Sequence, residues 1–202
     1  MKNLKIKLTF ISFSLFFFCS SGQKKTNKEA DFTKICSEIA NAFAKKNIAD
    51  INKYINPEIG VYIITRPGAM DAIIHESKLN ETKPFSVPYH YKDPGQVKKH
   101  KITYGVTPKY DCGTQKWDKR GFIADTLTKY RRASDVAYMN RKYGGEKLSE
   151  EETEKLKSFE TISRKIVFTE ISKGKGLVFH LTLINGKWYL FLIDTVASNC
   201  EA

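Results

Sequence analysis

Two carboxylates stand where the strand pattern calls for apolar side chains. Residues 164–172, 177–184 and 187–194 alternate as three consecutive strands do, and Glu170 and Asp194 fall on their apolar side. An ionised carboxylate is costly in a dry interior unless it is paired. Two acids toward one end of an apolar face suit the mouth of a pocket, where apolar walls raise a carboxyl pKa and fit it for general-base work. The competing reading sets both past the core edge, wetted or salt-bridged. His180 is the natural acid partner, but strict alternation puts it on the opposite face from Asp194, which argues against a dyad. The chain holds no GxSxG, HExxH, P-loop or GxGxxG motif.

The elements that must carry these residues form an antiparallel meander. Asn185-Gly186 between two alternating runs signals a type I′ hairpin, which needs positive φ at both central residues. A two-residue loop pairs Ile184 with Lys187, Leu183 with Trp188, Leu181 with Leu190, Phe179 with Leu192 and Leu177 with Asp194. A four-residue first turn at 173–176 sets Glu170 beside Phe179. The opposite face carries Val178, His180, Thr182, Tyr189, Phe191 and Ile193; it is mixed, so another segment should cover part of it.

The chain start reads as a targeting segment. Lys2, Lys5 and Lys7 precede an apolar run over 8–18, which is short of the ~20 residues that span a bilayer. Two processing routes are open. Ser20-Ser21-Gly22 offers small residues before Gln23, as signal peptidase I prefers. Alternatively Cys19 is lipidated, although Phe18 stands where a lipobox has a small residue. The protein is expected to be exported, as a periplasmic or outer-membrane-anchored lipoprotein or a freely secreted protein. Residues 1–22 are then a signal peptide, 23–30 a polar tether and 31–202 one domain, with 107–160 a loop and helical insertion.

The formal charge is +12, and removing Lys2, Lys5 and Lys7 leaves +9. Acids are interspersed throughout, and no nucleic-acid motif is present, so a dispersed basic surface is the reading and nucleic acid is not an expected partner. A membrane partner enters only through a lipid anchor. After processing, Cys36, Cys112 and Cys200 remain, and export makes them disulfide candidates. Cys36 lies on the apolar face of a predicted helix and suits a buried free thiol. A Cys112–Cys200 bridge would staple the tail to the middle of the chain. Their spacing supports neither a zinc site nor a CxxC redox pair, and no cofactor is implied.

Phe32, Ile35, Cys36, Ile39, Ala40 and Phe43 follow helical spacing over 31–46, with Asp31 as cap. Asn47 caps a short second helix with Ile48, Ile51 and Ile55 inward. Residues 60–65 form a strand. Residues 69–79 read as a short helix carrying His75 and Glu76, whose neighbouring side chains would diverge. Residues 98–106 alternate as a half-exposed strand whose lysines suit a sheet edge. The polar loop 107–121 holds Trp117, which could be a binding platform or could fold back over the sheet. Residues 122–143 read as mainly helical, with Ser134 as cap and Gly144-Gly145 as stop. Ser149-Glu150-Glu151-Glu152 is a capping box.

Ile39–Phe43 in the first helix, 48–55 in the second, and Leu183-Ile184-Asn185-Gly186-Lys187-Trp188-Tyr189-Leu190 in the last hairpin together resemble the NTF2-like (cystatin-like α+β) superfamily. The ending Trp188-Tyr189-Leu190, Ile193-Asp194 and Cys200 is similar to uncharacterised exported proteins and lipoproteins of Bacteroidota-type bacteria. The superfamily resemblance implies a curved sheet wrapping the first helix and leaving a conical pocket; residues 66–160 exceed what that fold needs. The expected fold class is α+β: N-terminal helices on a curved antiparallel sheet ending in a three-stranded meander, with a helical insertion. That fold hosts enzymes and inert binding modules alike. The expected role is a non-enzymatic module that binds an unknown small molecule or an envelope macromolecule. The alternative is a small hydrolase, isomerase or dehydratase with Asp194 or Glu170 as base. No metal site is expected, and the candidate ligand-binding residues are Glu170, Asp194 and Trp117.

Overall fold

The computed structural model describes residues 21–80, 100–125, 132–144, 148–172, 175–198 and 200, without the side chains of 21–28, 170–172 and 175. The helices are α1 (Ser21–Ala44), α2 (Ile48–Asn52), α3 (Arg132–Tyr143) and α4 (Glu150–Thr161). The strands are β1 (Val61–Thr65), β2 (Ala72–Glu76), β3 (Ile102–Tyr104), β4 (Tyr110–Asp111), β5 (Lys116–Trp117), β6 (Phe122–Ala124), β7 (Ser163–Ser172), β8 (Lys175–Ile184) and β9 (Lys187–Asp194). The main sheet runs β2-β1-β9-β8-β7-β6-β3, and β4 and β5 form a separate two-stranded ribbon. The class is α+β, as the sequence suggests. The sheet is mixed rather than wholly antiparallel, because β1 runs parallel to β9 and β3 parallel to β6.

The sheet is covered on both faces. One face packs on α1 and α2: Phe32, Cys36, Ile39, Ala40 and Phe43 recur at helical spacing and meet Ile166, Phe168, Leu177, Phe179, Leu181, Trp188 and Leu190 in one buried cluster. Phe32 sets its ring edge-on to Trp188 at 4.8 Å. Cys36 is the free, buried thiol expected. The other face packs on α3 and α4, where Val136, Ala137 and Leu156 meet Tyr62, Ile64, Phe191 and Leu192. The mixed outer face of the meander is thus covered, by the helices that follow β6.

Local signals set most boundaries. Asn47 caps α2 by accepting from the Asp50 amide at 3.1 Å. Ser149 and Glu152 complete the reciprocal capping box at the start of α4. Asn185 and Gly186 take φ of +49° and +81°, as a type I′ turn requires. Gly144, at φ +88°, ends α3.

Four expectations give way to tertiary pairing. Helix α1 begins at Ser21, so the stretch read as a tether is helical and Asp31 is interior rather than a cap. Residues 72–76 form a strand, not a helix: the turn at 66–68 folds Ile73 and Ile74 back onto β1, where ladder bonds outweigh a weak helical pattern. Residues 122–124 are likewise a strand, buried between β3 and β7, so the helical reading of 122–143 fails at its start and holds over Arg132–Tyr143. Ser134 sits inside α3, and its place as cap is taken by Glu160 of α4, whose carboxylate accepts from the amides of Ala133 at 2.6 Å and Ser134 at 3.3 Å. Strand β3 lies at a sheet edge, as its lysine pattern suggests.

Candidate functional site

The site begins with one extra residue in β9. Near the turn the hairpin pairs as its loop dictates: Ile184 with Lys187, Leu183 with Trp188, Leu181 with Leu190. The next pair is His180 with Leu192, so Phe191 has no opposite number and is bulged out of the ladder. The bulge reverses alternation beyond it. Phe179 therefore faces Ile193 instead of Leu192, and Asp194 lies opposite Val178 instead of Leu177. Asp194 consequently shares a face with His180, contrary to the strict-alternation reading.

Strand β7 adds a cation to that face. Lys165 lies directly across from His180 in the β7–β8 ladder. The same ladder pairs Ile166 with Phe179, so Glu170 is not the neighbour of Phe179. Glu170 falls in the irregular stretch between the Phe168–Leu177 and Ser172–Lys175 pairs, and its side chain lies outside the described residues. Helix α3 supplies Arg132 from its first position. Its Nε lies 3.3 Å from Asp194 Oδ2 and its Nη2 lies 2.5 Å from Asp71 Oδ2, while Arg66 Nε holds the other Asp71 oxygen at 2.6 Å. The remaining Asp194 oxygen accepts from the Val196 amide at 3.1 Å. A cation at a helix N-terminus opposes the macrodipole, and these two carboxylates offset that cost.

The β4–β5 ribbon closes the site from above. Tyr110 and Trp117 pair across it with their rings edge-on at 5.3 Å. Trp117 lies so close over β8 that a Cβ built on Gly176 would approach its Cζ2 to 2.5 Å. Cys112, at the ribbon tip, is bonded to Cys200 in the tail, as the sequence allowed. Both segments joined by this disulfide line the same cavity: Lys109, Tyr110 and Trp117 on one side, Val196 and Ala197 on the other, with Arg132, Lys165, His180 and Asp194 beneath. Its volume is about 410 Å³. The space between the sheet and α1, where the resemblance places a conical pocket, is filled by Phe32, Phe43, Phe122, Phe168 and Phe179.

The electrostatics of this cavity are one-sided. Among its described lining residues, three cations face a single carboxylate. His180 is 2 % exposed, and burial, reinforced by Lys165 and Arg132, pushes its pKa down to about 3. Its imidazole is neutral at physiological pH: able to donate one hydrogen bond and accept one, but too weakly basic to take up a proton there. Burial also lowers the Lys165 ammonium, against the attraction of Asp194 and with the help of Arg132. Burial would lower Arg132 too, but Asp194 and Asp71 outweigh it and hold its pKa up. Burial would raise Asp71, yet its bonds to Arg66 and Arg132 leave it below the usual carboxylate range. The Trp117 indole Nε1 is buried and has no hydrogen-bond partner among the described residues. The arrangement suits a small anion lying over the cations with an edge against the aromatic ribbon.

No family model, curated protein or solved structure matches the chain. Its chemistry is carried by its own residues.

Of the residues singled out from the sequence, Asp194 and Trp117 meet in the cavity, and Cys112 and Cys200 tie its roof to the tail. Cys19 lies outside the described residues. His75 has a structural place on β2: it stacks on Tyr62 at 4.4 Å, and its Nε2 lies 2.6 Å from the Ile59 carbonyl. No cluster of three or more His, Cys, Asp or Glu able to hold a metal occurs among the described residues, and no described helix is long and apolar enough to cross a membrane. Sequence reading missed Lys109, Arg132 and Lys165. Lys165 follows the polar phase of β7 and reads as solvated. Arg132 stands out only once the structure sets it at the first position of α3, where an acid is favoured.

Proposed function

We propose that this is an exported cell-envelope protein, a non-enzymatic module that binds a small anionic ligand in the cavity between the β4–β5 ribbon and the meander. The observation that carries the reading is the convergence of Lys109, Arg132 and Lys165 on one cavity whose described lining offers a single carboxylate, itself bonded to Arg132. Trp117 and Tyr110 supply an apolar wall for the body of the ligand. Kinship with the NTF2-like superfamily is part of the proposal, supported by two helices ahead of a sheet that ends in the β8–β9 hairpin. Export rests on the basic and apolar start of the chain, with Cys19 lipidation or cleavage near Gln23 as its two routes.

One observation favours the alternative, a small pocket enzyme of hydrolase, isomerase or dehydratase type: Asp194 and His180 share a face and a cavity. It ranks second because both Asp194 oxygens are engaged and the imidazole is held uncharged.

Native mass spectrometry of protein isolated gently from its host tests the reading. The covalent mass distinguishes a lipid adduct on Cys19 from a chain starting near Gln23. The expected non-covalent species is a small organic anion that dissociates at high salt and is absent from a Lys109→Met, Lys165→Met double variant. A bare polypeptide that also binds no small anion by titration calorimetry would remove the pocket reading and favour recognition of an envelope macromolecule.

A further inference from the structure

We propose that α3 is a self-association surface, on which the α3 of a second copy of this chain docks antiparallel and face to face. The inference stands apart from the anion-binding reading.

Of the seven large apolar side chains exposed among the described residues, four crowd one place: Tyr138, Met139 and Tyr143 on α3, and Met70 on the turn beside it. Single exposed apolar side chains are ordinary, but a contiguous group marks a contact surface. Tyrosine and methionine are also types enriched at protein interfaces. Helical spacing makes the stripe. Val136 and Ala137 are buried against the sheet, and the Asn140 side chain accepts from the Ile73 amide of β2 at 3.2 Å. That leaves Asp135, Tyr138, Met139, Lys142 and Tyr143 together on the outward side.

The charges on this stripe select the partner. Asp135 and Lys142 stand two turns apart and flank Tyr138 and Met139. A two-fold axis between Tyr138 and Met139 sets Asp135 of each copy against Lys142 of the other, and Tyr138 of each beside Met139 of the other. Every contact is made twice and both charges are answered, so the surface is complementary to itself. A parallel pairing would instead set like charge against like. The same axis brings Tyr143 of the partner subunit level with the start of α3. There a groove of about 290 Å³ opens between the helix and the turn that carries Met70. Met70, Val136 and Met139 wall this groove, and an aromatic ring from the other copy suits such a lining.

Sedimentation velocity on the full mature protein tests the pairing. Wild type is expected to reach twice the monomer mass at micromolar concentration. Asp135→Lys and Lys142→Asp should each raise the dimer dissociation constant at least about tenfold, since each sets like charges together. Both positions are exposed, so the fold should be retained, which circular dichroism checks. Mixed in equal amounts, the two variants should recover dimers, because each supplies the charge that the other lacks. Tyr143→Ser should weaken the wild-type dimer without altering any charge. A wild type that stays monomeric at every concentration would overturn the proposal and leave the stripe to a different molecule. A dimer that neither charge reversal weakens, or two variants that stay apart on mixing, would overturn it as well.

Discussion

Asp194 and His180 lie on the same side of the sheet because Phe191 is bulged out of the ladder between them and the hairpin turn. Without that residue the carboxylate would point into the apolar cluster around α1, away from Arg132. With it, the carboxylate reaches Arg132 at 3.3 Å. The bulge converts a buried, unpaired charge into a member of an ion-pair chain running Arg66–Asp71–Arg132–Asp194.

Asp194→Ala should therefore destabilise the fold. Breaking a buried pair costs about 3–5 kcal/mol, and the Arg132 side chain is 37 % exposed, so the expected loss is about 2 kcal/mol in urea denaturation. A variant as stable as wild type would show that Asp194 is a wetted strand end.

His180 should make stability fall on mild acidification. Its ordinary pKa of 6.5 applies in the unfolded chain, and its folded value is about 3. Below pH 6.5 the unfolded chain takes up a proton that the folded protein refuses, so stability is complete above 6.5 and declines toward pH 3. The expected loss is about 2 kcal/mol by pH 5. His180→Gln should flatten this window. Asp71, whose folded pKa is depressed below 3.8, adds a separate loss only at lower pH. Denaturation midpoints from neutral pH to pH 4 measure both; an unchanged slope in the Gln variant would rule out His180 as the titrating group.

Reduction of Cys112–Cys200 should loosen the roof of the cavity. The bridge spans 88 residues, and a loop of that size is worth about 4.6 kcal/mol by loop-closure entropy. Cys200→Ser should lower stability by about 2–4 kcal/mol and weaken small-anion binding, since Trp117 and Val196 are no longer held together. Binding unaffected by reduction would show that the ribbon holds its place without the staple.

Gly176→Ala should displace Trp117. The added methyl would meet the indole at 2.5 Å, and relieving such a clash costs about 1–3 kcal/mol. A red shift in tryptophan emission, absent from Gly176→Ala in a Trp117→Phe background, is the expected signature. An unshifted spectrum would mean that the ribbon moves as a unit and keeps its ring buried.

Much of the frame was legible because it is local. Asn185-Gly186, the Ser149 capping box, the Asn47 cap and the apolar stripe of α1 each act over a few residues, so sequence spacing carries them directly. The covered outer face of the meander was also readable, since a face bearing Phe191 beside His180 is too apolar to stand in water. The Cys112–Cys200 bridge was open to inference from export and cysteine number.

The tertiary structure alone decided the site. Residues 72–76 and 122–124 became strands because neighbours in the sheet satisfied their backbone groups, which no window of sequence shows. The fate of Asp194 turned on a single bulge, and since side chains alternate with period two, one unpaired residue moves every later side chain to the other face. Lys165, Arg132 and Lys109 come from β7, from the start of α3 and from the segment before β4. Their meeting depends on long-range packing, so three ordinary surface-type residues in the sequence become one cationic cavity only when the chain is folded.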